Sequence, residues 1–241
     1  MDRRLEFIGS IRRAADSLLG RVSAGPPQRI VSLAMRESLP PTVSDRRAPR
    51  DTAAVLDVSG SMRDSDYPPT RLDGGICATL AYTDARGKAC PGDRVAVVSF
   101  NDAAHVVLPW TAITDRRGIG RALHRLTADG GTDLAEGLRA ALSLFTNRPP
   151  AGRRRHAILL TDGQGGEPLE MAIRLKERLG VVIDVVGIGG SPDVVNETLL
   201  RQVATTDPDG FCHYRFIKDT QTLSEHYTQL AQGLIWRGGK K

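Results

Sequence analysis

Apolar and polar residues follow two different patterns along the chain, and the change falls near residue 52. From there on, short apolar runs predict six strands, TAAVLDVS, RVAVVSF, AHVVLP, HAILLTD, VVIDVVGIG and HYRFI. The intervening stretches predict helices at about 71–88, 114–127, 132–146, 167–180, 192–205 and 220–236. Only residues 101–103 separate the second strand from the third, which is too few for a crossover helix, so these two strands should form an antiparallel hairpin.

This alternation of strands and helices predicts an α/β fold. We expect a Rossmann-like, doubly wound and mostly parallel sheet of six strands, with one antiparallel edge strand and helices on both faces. In sheets of this kind, ligands bind at the carboxyl ends of the central strands. Side chains that follow those strands are therefore the first candidates for a functional site.

The first fifth of the chain has a different pattern. Residues 1–22 read as an amphipathic helix, residues 28–36 as an additional strand, and residues 40–50 as a polar linker that contains proline. We therefore divide the chain into an N-terminal segment of residues 1–51, a main domain of residues 52–236 and a basic tail of residues 237–241.

Composition and charge narrow the function classes. The net charge is +5, but aromatic residues make up only 5% of the chain, so there is little to stack on bases and nucleic acid is disfavoured as a partner. The arginine clusters suit solvated surface or an acidic protein partner. We expect no transmembrane segment, since no apolar run reaches the length of about 20 residues that a membrane span needs. With no secretory signal pattern and three cysteines in no metal-binding spacing, a cytoplasmic location is the expectation.

Three segments place oxygen-bearing side chains where strands end or helices begin. The first strand runs into DVSGS at residues 57–61, GGTD at residues 130–133 opens a helix, and TDG at residues 161–163 closes the fourth strand. Taken singly, each has an ordinary structural explanation. Ser59 and Ser61 could cap a helix, Thr132 could be a helix N-cap, and Asp162 could be a turn residue.

Taken together and in this order, DVSGS, GGT and TDG resemble the metal-ion-dependent adhesion site (MIDAS) of von Willebrand factor A domains of the intracellular bacterial type. The resemblance extends over residues 52–236, about three quarters of the chain. It implies a Mg²⁺ site, with Mn²⁺ or Ca²⁺ as substitutes, in which hydroxyls bind the ion directly and the aspartates act through water or hydrogen bonds. The residues that it assigns to the metal are Asp57, Ser59, Ser61, Thr132 and Asp162.

The resemblance also implies a function that is not enzymatic. Because hydroxyl ligands neutralise little of the ion's charge, the ion stays attractive to an outside carboxylate. We therefore expect a protein-binding module that captures a partner's Asp or Glu, and an adaptor role in an intracellular multiprotein system. Some relatives of this type work beside an AAA+ ATPase. Some undergo a switch in the last helix, which here would be residues 220–235.

Four further residues are candidate partner contacts because the sequence places them near the same rim. They are Asp64, Asp66, Tyr67 and Trp110. The two aspartates follow the first motif closely, as in relatives that bind a second cation, although Ser65 separates them and makes the match imperfect. Tyr67 and Trp110 could instead be packed loop residues.

Two alternative functions come from other classes. One is a metal-dependent hydrolase or phosphatase with Asp57 as nucleophile, but Ser59 stands where such enzymes carry a second aspartate. The chain also contains neither a GxxxxGK[ST] phosphate loop nor a GxSxG elbow, and His156 begins its strand at the end away from the site. The other is a basic nucleic-acid-binding scaffold with a vestigial metal site.

Overall fold

The structure is a computed structural model that describes residues 49–146, 152–163 and 165–233. The predictions for residues 1–36 and for the basic tail at 237–241 fall outside these residues. The strands are β1 Arg50–Asp57, β2 Arg94–Phe100, β3 Ala104–Ala112, β4 Arg154–Thr161, β5 Val181–Ile188 and β6 Tyr214–Ile217. The helices are α1 Arg71–Ala89, α2 Arg116–Leu123, α3 Leu134–Thr146, α4 Leu169–Ile173, α5 Glu197–Val203 and α6 Thr220–Gln232.

The six strands form one sheet in the order β3-β2-β1-β4-β5-β6. All neighbouring pairs are parallel except β2 and β3, which form the antiparallel hairpin at one edge. This confirms the predicted fold class. The central strands are buried along almost their whole length, which explains why their sequences read as continuous apolar runs rather than as alternating ones.

The core has one layer on each face of the sheet. On one face, Leu56 and Leu160 pack with Ile76 of α1, Ile119 of α2 and Leu223 of α6. On the other face, the alternate strand residues pack with side chains of α3, α4 and α5, among them Val55, Leu159, Leu138, Met171 and Leu200. The two layers are the expected consequence of period-two alternation in strands that are covered on both sides.

Several element boundaries differ from the sequence predictions. Strand β1 begins at Arg50, two residues before the predicted start at Thr52, because the ladder with β4 extends back to the pair of Arg50 and Arg154. Helix α6 ends at Gln232, because Gly233 adopts a left-handed φ of 68°. The last residues of the predicted helix, 234–236, lie outside the described residues. Helix α4 is shorter than predicted and continues as one turn of π-helix at Arg174–Arg178.

In the described part of the chain, no helix has the length and apolar character needed to cross a bilayer.

A buried ion pair at the amino-terminal end of the sheet joins α1 to β2. The guanidinium of Arg86 donates to Asp93, and both side chains are 2% exposed. The other oxygen of Asp93 accepts the backbone N–H of Arg50 at 2.9 Å, so this carboxylate also fixes the start of β1.

The first prediction concerns this pair. Asp93→Ala should lower the free energy of unfolding by roughly 3–5 kcal/mol, because it leaves the Arg86 charge buried without its carboxylate. Urea denaturation followed by circular dichroism measures the change. The control is Glu177→Ala, an exposed residue, which should stay within about 0.5 kcal/mol of the wild type. Equal effects of the two variants would contradict this role of the ion pair.

Candidate metal centre

The candidate site lies where the two central parallel strands end. Asp57 is the last residue of β1, and Thr161 is the last residue of the neighbouring β4. Leu56 pairs with Leu160 in the ladder, so the residues that follow emerge side by side. This register brings Asp57 and Asp162 to the same edge of the sheet, as the sequence predicts.

The carboxylate of Asp57 is completely buried and is held by neutral donors from Ser59 and Thr161. The backbone N–H of Ser59 donates to Oδ1 at 2.8 Å, and the hydroxyl of Thr161 donates to Oδ2 at 2.6 Å. Burial raises the pKa of Asp57 to about 6, with a smaller contribution from the charge of Asp162, while the hydrogen bonds oppose the shift. The site therefore holds a carboxylate whose negative charge is poorly compensated.

Ser59 and Ser61 extend the site along the loop that follows β1. Their hydroxyl oxygens lie 3.2 Å apart, and the Ser61 hydroxyl donates to Oδ1 of Asp162 at 2.9 Å. Ser59 precedes a short 3₁₀ helix at Gly60–Arg63, but its side chain makes no capping hydrogen bond there. The capping explanation for Ser59 is therefore wrong, and this hydroxyl is directed to the site instead.

Thr132 reaches the site because its loop is tied to β1. The N–H of Gly60 donates to the carbonyl of Gly130 at 3.0 Å, and the N–H of Asp129 donates to the carbonyl of Val58 at 2.7 Å. The Thr132 side chain lies directly over Gly163, where an added Cβ would be 3.1 Å from its hydroxyl oxygen. Glycine at 163 is thus needed for this close approach.

Helix α3 does not need Thr132 as its cap. The side chain of Asp133 accepts the backbone N–H of Ala135 at 2.9 Å, and the helix begins at Leu134. Asp162 likewise does not stabilise its own turn, since the Thr161 hydroxyl accepts the N–H of Gly163 at 3.1 Å. The structure therefore does not support a role for Thr132 as a helix cap or for Asp162 as a turn residue.

All five predicted site residues thus meet at one rim, where three hydroxyls and two carboxylates offer oxygen atoms to a metal ion. Among the described residues, no group of three or more His, Cys, Asp or Glu side chains is arranged to hold a metal ion. The five residues at the rim instead include three hydroxyl side chains. All of their polar atoms are oxygens, which are the ligands that Mg²⁺ prefers. The residues present therefore fit a hard divalent cation, and the buried charge of Asp57 favours one.

Arg71 is the main site residue that the sequence analysis missed. It is the first residue of α1, and its side chain is 8% exposed. Its guanidinium donates to Oδ2 of Asp162 at 2.8 Å and to both oxygens of Asp66 at 2.8 and 2.6 Å. These bonds lower the pKa of Asp66 and raise that of Arg71. The only sequence signal was an arginine that follows a loop with two aspartates.

The expectations for two of the four candidate partner contacts were wrong. Tyr67 is completely buried, and its hydroxyl donates to the carbonyl of Asp219 at 2.7 Å. Trp110 lies at the opposite end of the sheet, because β3 is antiparallel and its neighbouring residue Thr111 pairs with Val95. Its indole N–H donates to the carbonyl of Leu144 at 3.2 Å, so Trp110 is a partly buried packing residue.

Asp64 and Asp66 do lie near the rim, but neither is simply a free surface carboxylate. Asp66 is paired with Arg71 as described, and Oδ2 of Asp64 lies 3.4 Å from the same guanidinium. Asp64 is the more exposed of the two, since its side chain is 58% exposed and that of Asp66 is 33% exposed. Its contact with a partner stays a prediction.

Two residues of the β2–β3 hairpin support the site from below. The Asn101 side chain donates to the carbonyl of Asp129 at 2.9 Å, and Oδ2 of Asp102 accepts the N–H of Gly131 at 2.7 Å. Together they hold the loop that carries Thr132. The sequence offered only a short polar link between two strands, which gives no hint of this role.

The chain is similar to known proteins in sequence and in fold. The family model of the von Willebrand factor type A domain matches residues 52–164. An uncharacterised protein of Synechocystis sp. is 34% identical over 120 residues, which are 50% of this chain and 26% of that protein. A von Willebrand factor type A structure from Catenulispora acidiphila has a TM-score of 0.62 at 27% identity, over 78% of this chain and 43% of that one.

A further structure shares the fold at lower identity. Proximal thread matrix protein 1 from the mussel byssus, solved with a zinc-occupied MIDAS motif, has a TM-score of 0.60 at 20% identity, over 77% of this chain and 48% of that one.

The fold is therefore that of a von Willebrand factor type A domain, and both the family model and the structural neighbours support this family. Domains of this class are protein-interaction modules. The chain spans about a quarter of the Synechocystis relative and less than half of the two solved chains.

The second prediction follows from the buried charge of Asp57. Since folding raises its pKa from 3.8 to about 6, the folded state binds the proton more tightly, and stability falls as pH rises from about 4 to above 6. In EDTA at pH 7.5, Asp57→Asn should therefore raise the free energy of unfolding by roughly 1–3 kcal/mol and flatten this pH dependence.

Urea denaturation at pH 4.5 and at pH 7.5 measures both effects. The control Glu177→Gln removes an exposed charge and should change neither the stability nor its pH dependence. A loss of stability at pH 7.5 in Asp57→Asn would show that this carboxylate stabilises the fold on its own.

Proposed function

We propose that this chain is a divalent-metal-dependent protein-binding module. In this proposal, Mg²⁺ is held by the hydroxyls of Ser59, Ser61 and Thr132, with Asp57 and Asp162 supporting the site through water or hydrogen bonds. A carboxylate from a partner's Asp or Glu completes the coordination. The observation that carries the proposal is the convergence of these hydroxyls and two buried carboxylates at one rim.

Electrostatics support a metal at this position. The carboxylate of Asp57 is buried among neutral donors, which is unfavourable for an ionised group unless a cation lies nearby. A divalent ion would supply that charge and act as an electrophilic anchor for an anionic ligand. The residues of the chain would orient the ion, since the Ser61 hydroxyl is held by Asp162 and the Thr132 side chain lies against Gly163.

The zinc-occupied MIDAS motif of the mussel byssus protein supports the choice of a divalent metal, although that structure shares only 20% identity with this chain. We favour Mg²⁺ because hydroxyl and carboxylate oxygens are its preferred ligands, and we expect Mn²⁺ or Ca²⁺ to substitute.

Two geometric features oppose the hydrolase or phosphatase alternative. Both oxygens of Asp57 already accept hydrogen bonds, and the residue has no exposed surface, so it is poorly placed to attack a substrate. His156 lies near the start of β4, at the far end of the strand from Asp162, and bonds Asp184 at 2.5 Å. We therefore propose a binding function without catalysis.

The partner is defined here only by its chemistry. We propose a protein with an accessible Asp or Glu, and an AAA+ ATPase or another component of an intracellular assembly remains our prediction for its identity. The proposal does not extend to nucleic acid, because aromatic residues, on which bases could stack, make up only 5% of the chain. A cytoplasmic setting is part of the same proposal.

The third prediction tests the metal site without a partner. Isothermal titration calorimetry with MgCl₂ should show one ion per chain, and Ser59→Ala and Thr132→Ala should each weaken its binding at least about tenfold, since each removes a direct oxygen ligand. Ser143→Ala, which removes an exposed hydroxyl on α3, is the matched control and should leave affinity unchanged. Unaltered affinity in both site variants would contradict the assignment.

The fourth prediction tests partner capture. The full chain immobilised in Mg²⁺ should retain a specific protein from lysate of its native cell, and EDTA should release that protein. Asp162→Ala should fail to retain it, whereas Ser143→Ala should behave as the wild type does. The retained protein is then purified, and its surface Asp and Glu residues are changed one at a time to the amide. Binding that persists in EDTA, or that no single amide change affects, would refute the carboxylate mechanism.

A further inference from the structure

The guanidinium of Arg71 lies at the centre of carboxylate oxygens from three aspartates. Nη1 contacts Asp162 Oδ2 at 2.8 Å, Nε contacts Asp66 Oδ1 at 2.8 Å, and Nη2 contacts Asp66 Oδ2 at 2.6 Å. Nη2 also lies 3.4 Å from Oδ2 of Asp64. Four oxygens thus surround one planar cation that is almost fully buried.

Arg71 lies at the end of α1 where a positive charge is unfavourable. It is the first residue of the helix, directly after the N-cap Thr70. Cations are unfavourable at a helix N-terminus, because the free N–H groups and the helix dipole already make that end positive. The three carboxylates offset this unfavourable placement, and they hold the guanidinium between the Asp162 carboxylate and the loop that carries Asp64 and Asp66.

The same oxygens form a set that a second divalent cation would otherwise find attractive. Ca²⁺ and Mn²⁺ bind clusters of carboxylate oxygens, and one aspartate can supply both of its oxygens. Asp66 is held in place from the other side as well, by a hydrogen bond from the backbone of Gly190 in the loop after β5. The guanidinium occupies the space between these oxygens. It stays positively charged, because an arginine side chain does not lose its proton in a protein.

We propose that Arg71 is a built-in cation that restricts this rim to a single divalent ion. Its positive charge takes the place of a second metal between Asp162, Asp66 and Asp64. It also fixes the Asp162 carboxylate so that the other oxygen accepts the Ser61 hydroxyl. The inference rests on the proposed metal site, since it concerns how many ions that rim accepts. Arg71 is thereby a positioning residue that sets ion number and does not contact the first ion.

Counting bound Mn²⁺ tests this role. Electron paramagnetic resonance of free Mn²⁺, read alongside titration calorimetry, should give one ion per chain for the wild type and two for Arg71→Met, which keeps an unbranched side chain but removes the guanidinium and its charge. Arg71→Lys should bind one ion, because its ammonium remains between the carboxylates. The double variant Arg71→Met/Asp66→Asn should again bind one ion, since it also lacks the Asp66 carboxylate that the second ion would need.

A matched control removes a different arginine from the same rim. Arg63 pairs with Asp129, and its side chain is 63% exposed, so Arg63→Met changes the net charge by the same amount without touching Asp162. It should still bind one ion. Should Arg71→Met fail to fold, Arg71→Gln answers the same question, because its amide keeps donors toward the carboxylates but carries no charge.

The ion counts separate the failure of this inference from the failure of the proposed function. A wild type that binds no Mn²⁺ overturns the metal site itself. A wild type that binds one ion together with neutral variants at position 71 that also bind one overturns the role of Arg71 while the metal site stands. Two ions in the wild type would equally overturn the role of Arg71.

Discussion

Two carboxylates buried side by side at the ends of adjacent parallel strands are the constraint on which this site depends. Asp57 and Asp162 follow β1 and β4, and both are at most 3% exposed. Like charges buried close together are costly unless they are compensated. Asp162 has a charged donor in Arg71, whereas the hydrogen bonds to Asp57 come from a backbone N–H and from hydroxyls, all of them neutral. A divalent ion would supply the positive charge that Asp57 lacks.

The same arrangement explains how loops from distant parts of the chain form one site. Backbone hydrogen bonds tie residues 58–60 to residues 129–130, and Asn101 and Asp102 hold the second loop from the hairpin. The loop after Ser61 is fixed at its other end, where Tyr67 donates to the carbonyl of Asp219 at the N-terminus of α6. A change at the rim therefore has a packed route to the last helix, and a switch of that helix stays a prediction.

Sequence reasoning predicted the fold and the meeting of the five candidate residues at one rim, because both follow from local patterns. Apolar runs define the buried strands, and DVSGS, GGT and TDG stand directly at strand ends or at a helix start. Its misses depend on long-range geometry. The antiparallel course of β3 carries Trp110 away from the rim, and burial against α1 and α6 hides Tyr67. Arg71 meets Asp162 only because of the fold, since 91 residues separate them in the chain.

The most direct measurement of the central claim is a crystal structure of the chain soaked in Mn²⁺, with anomalous diffraction recorded at the manganese edge. The account predicts one strong anomalous peak at the rim, within direct bonding distance of the hydroxyl oxygens of Ser59, Ser61 and Thr132. Asp57 and Asp162 should lie around it. The account would be contradicted by the absence of a peak there, or by a peak bound elsewhere with the three hydroxyls turned away.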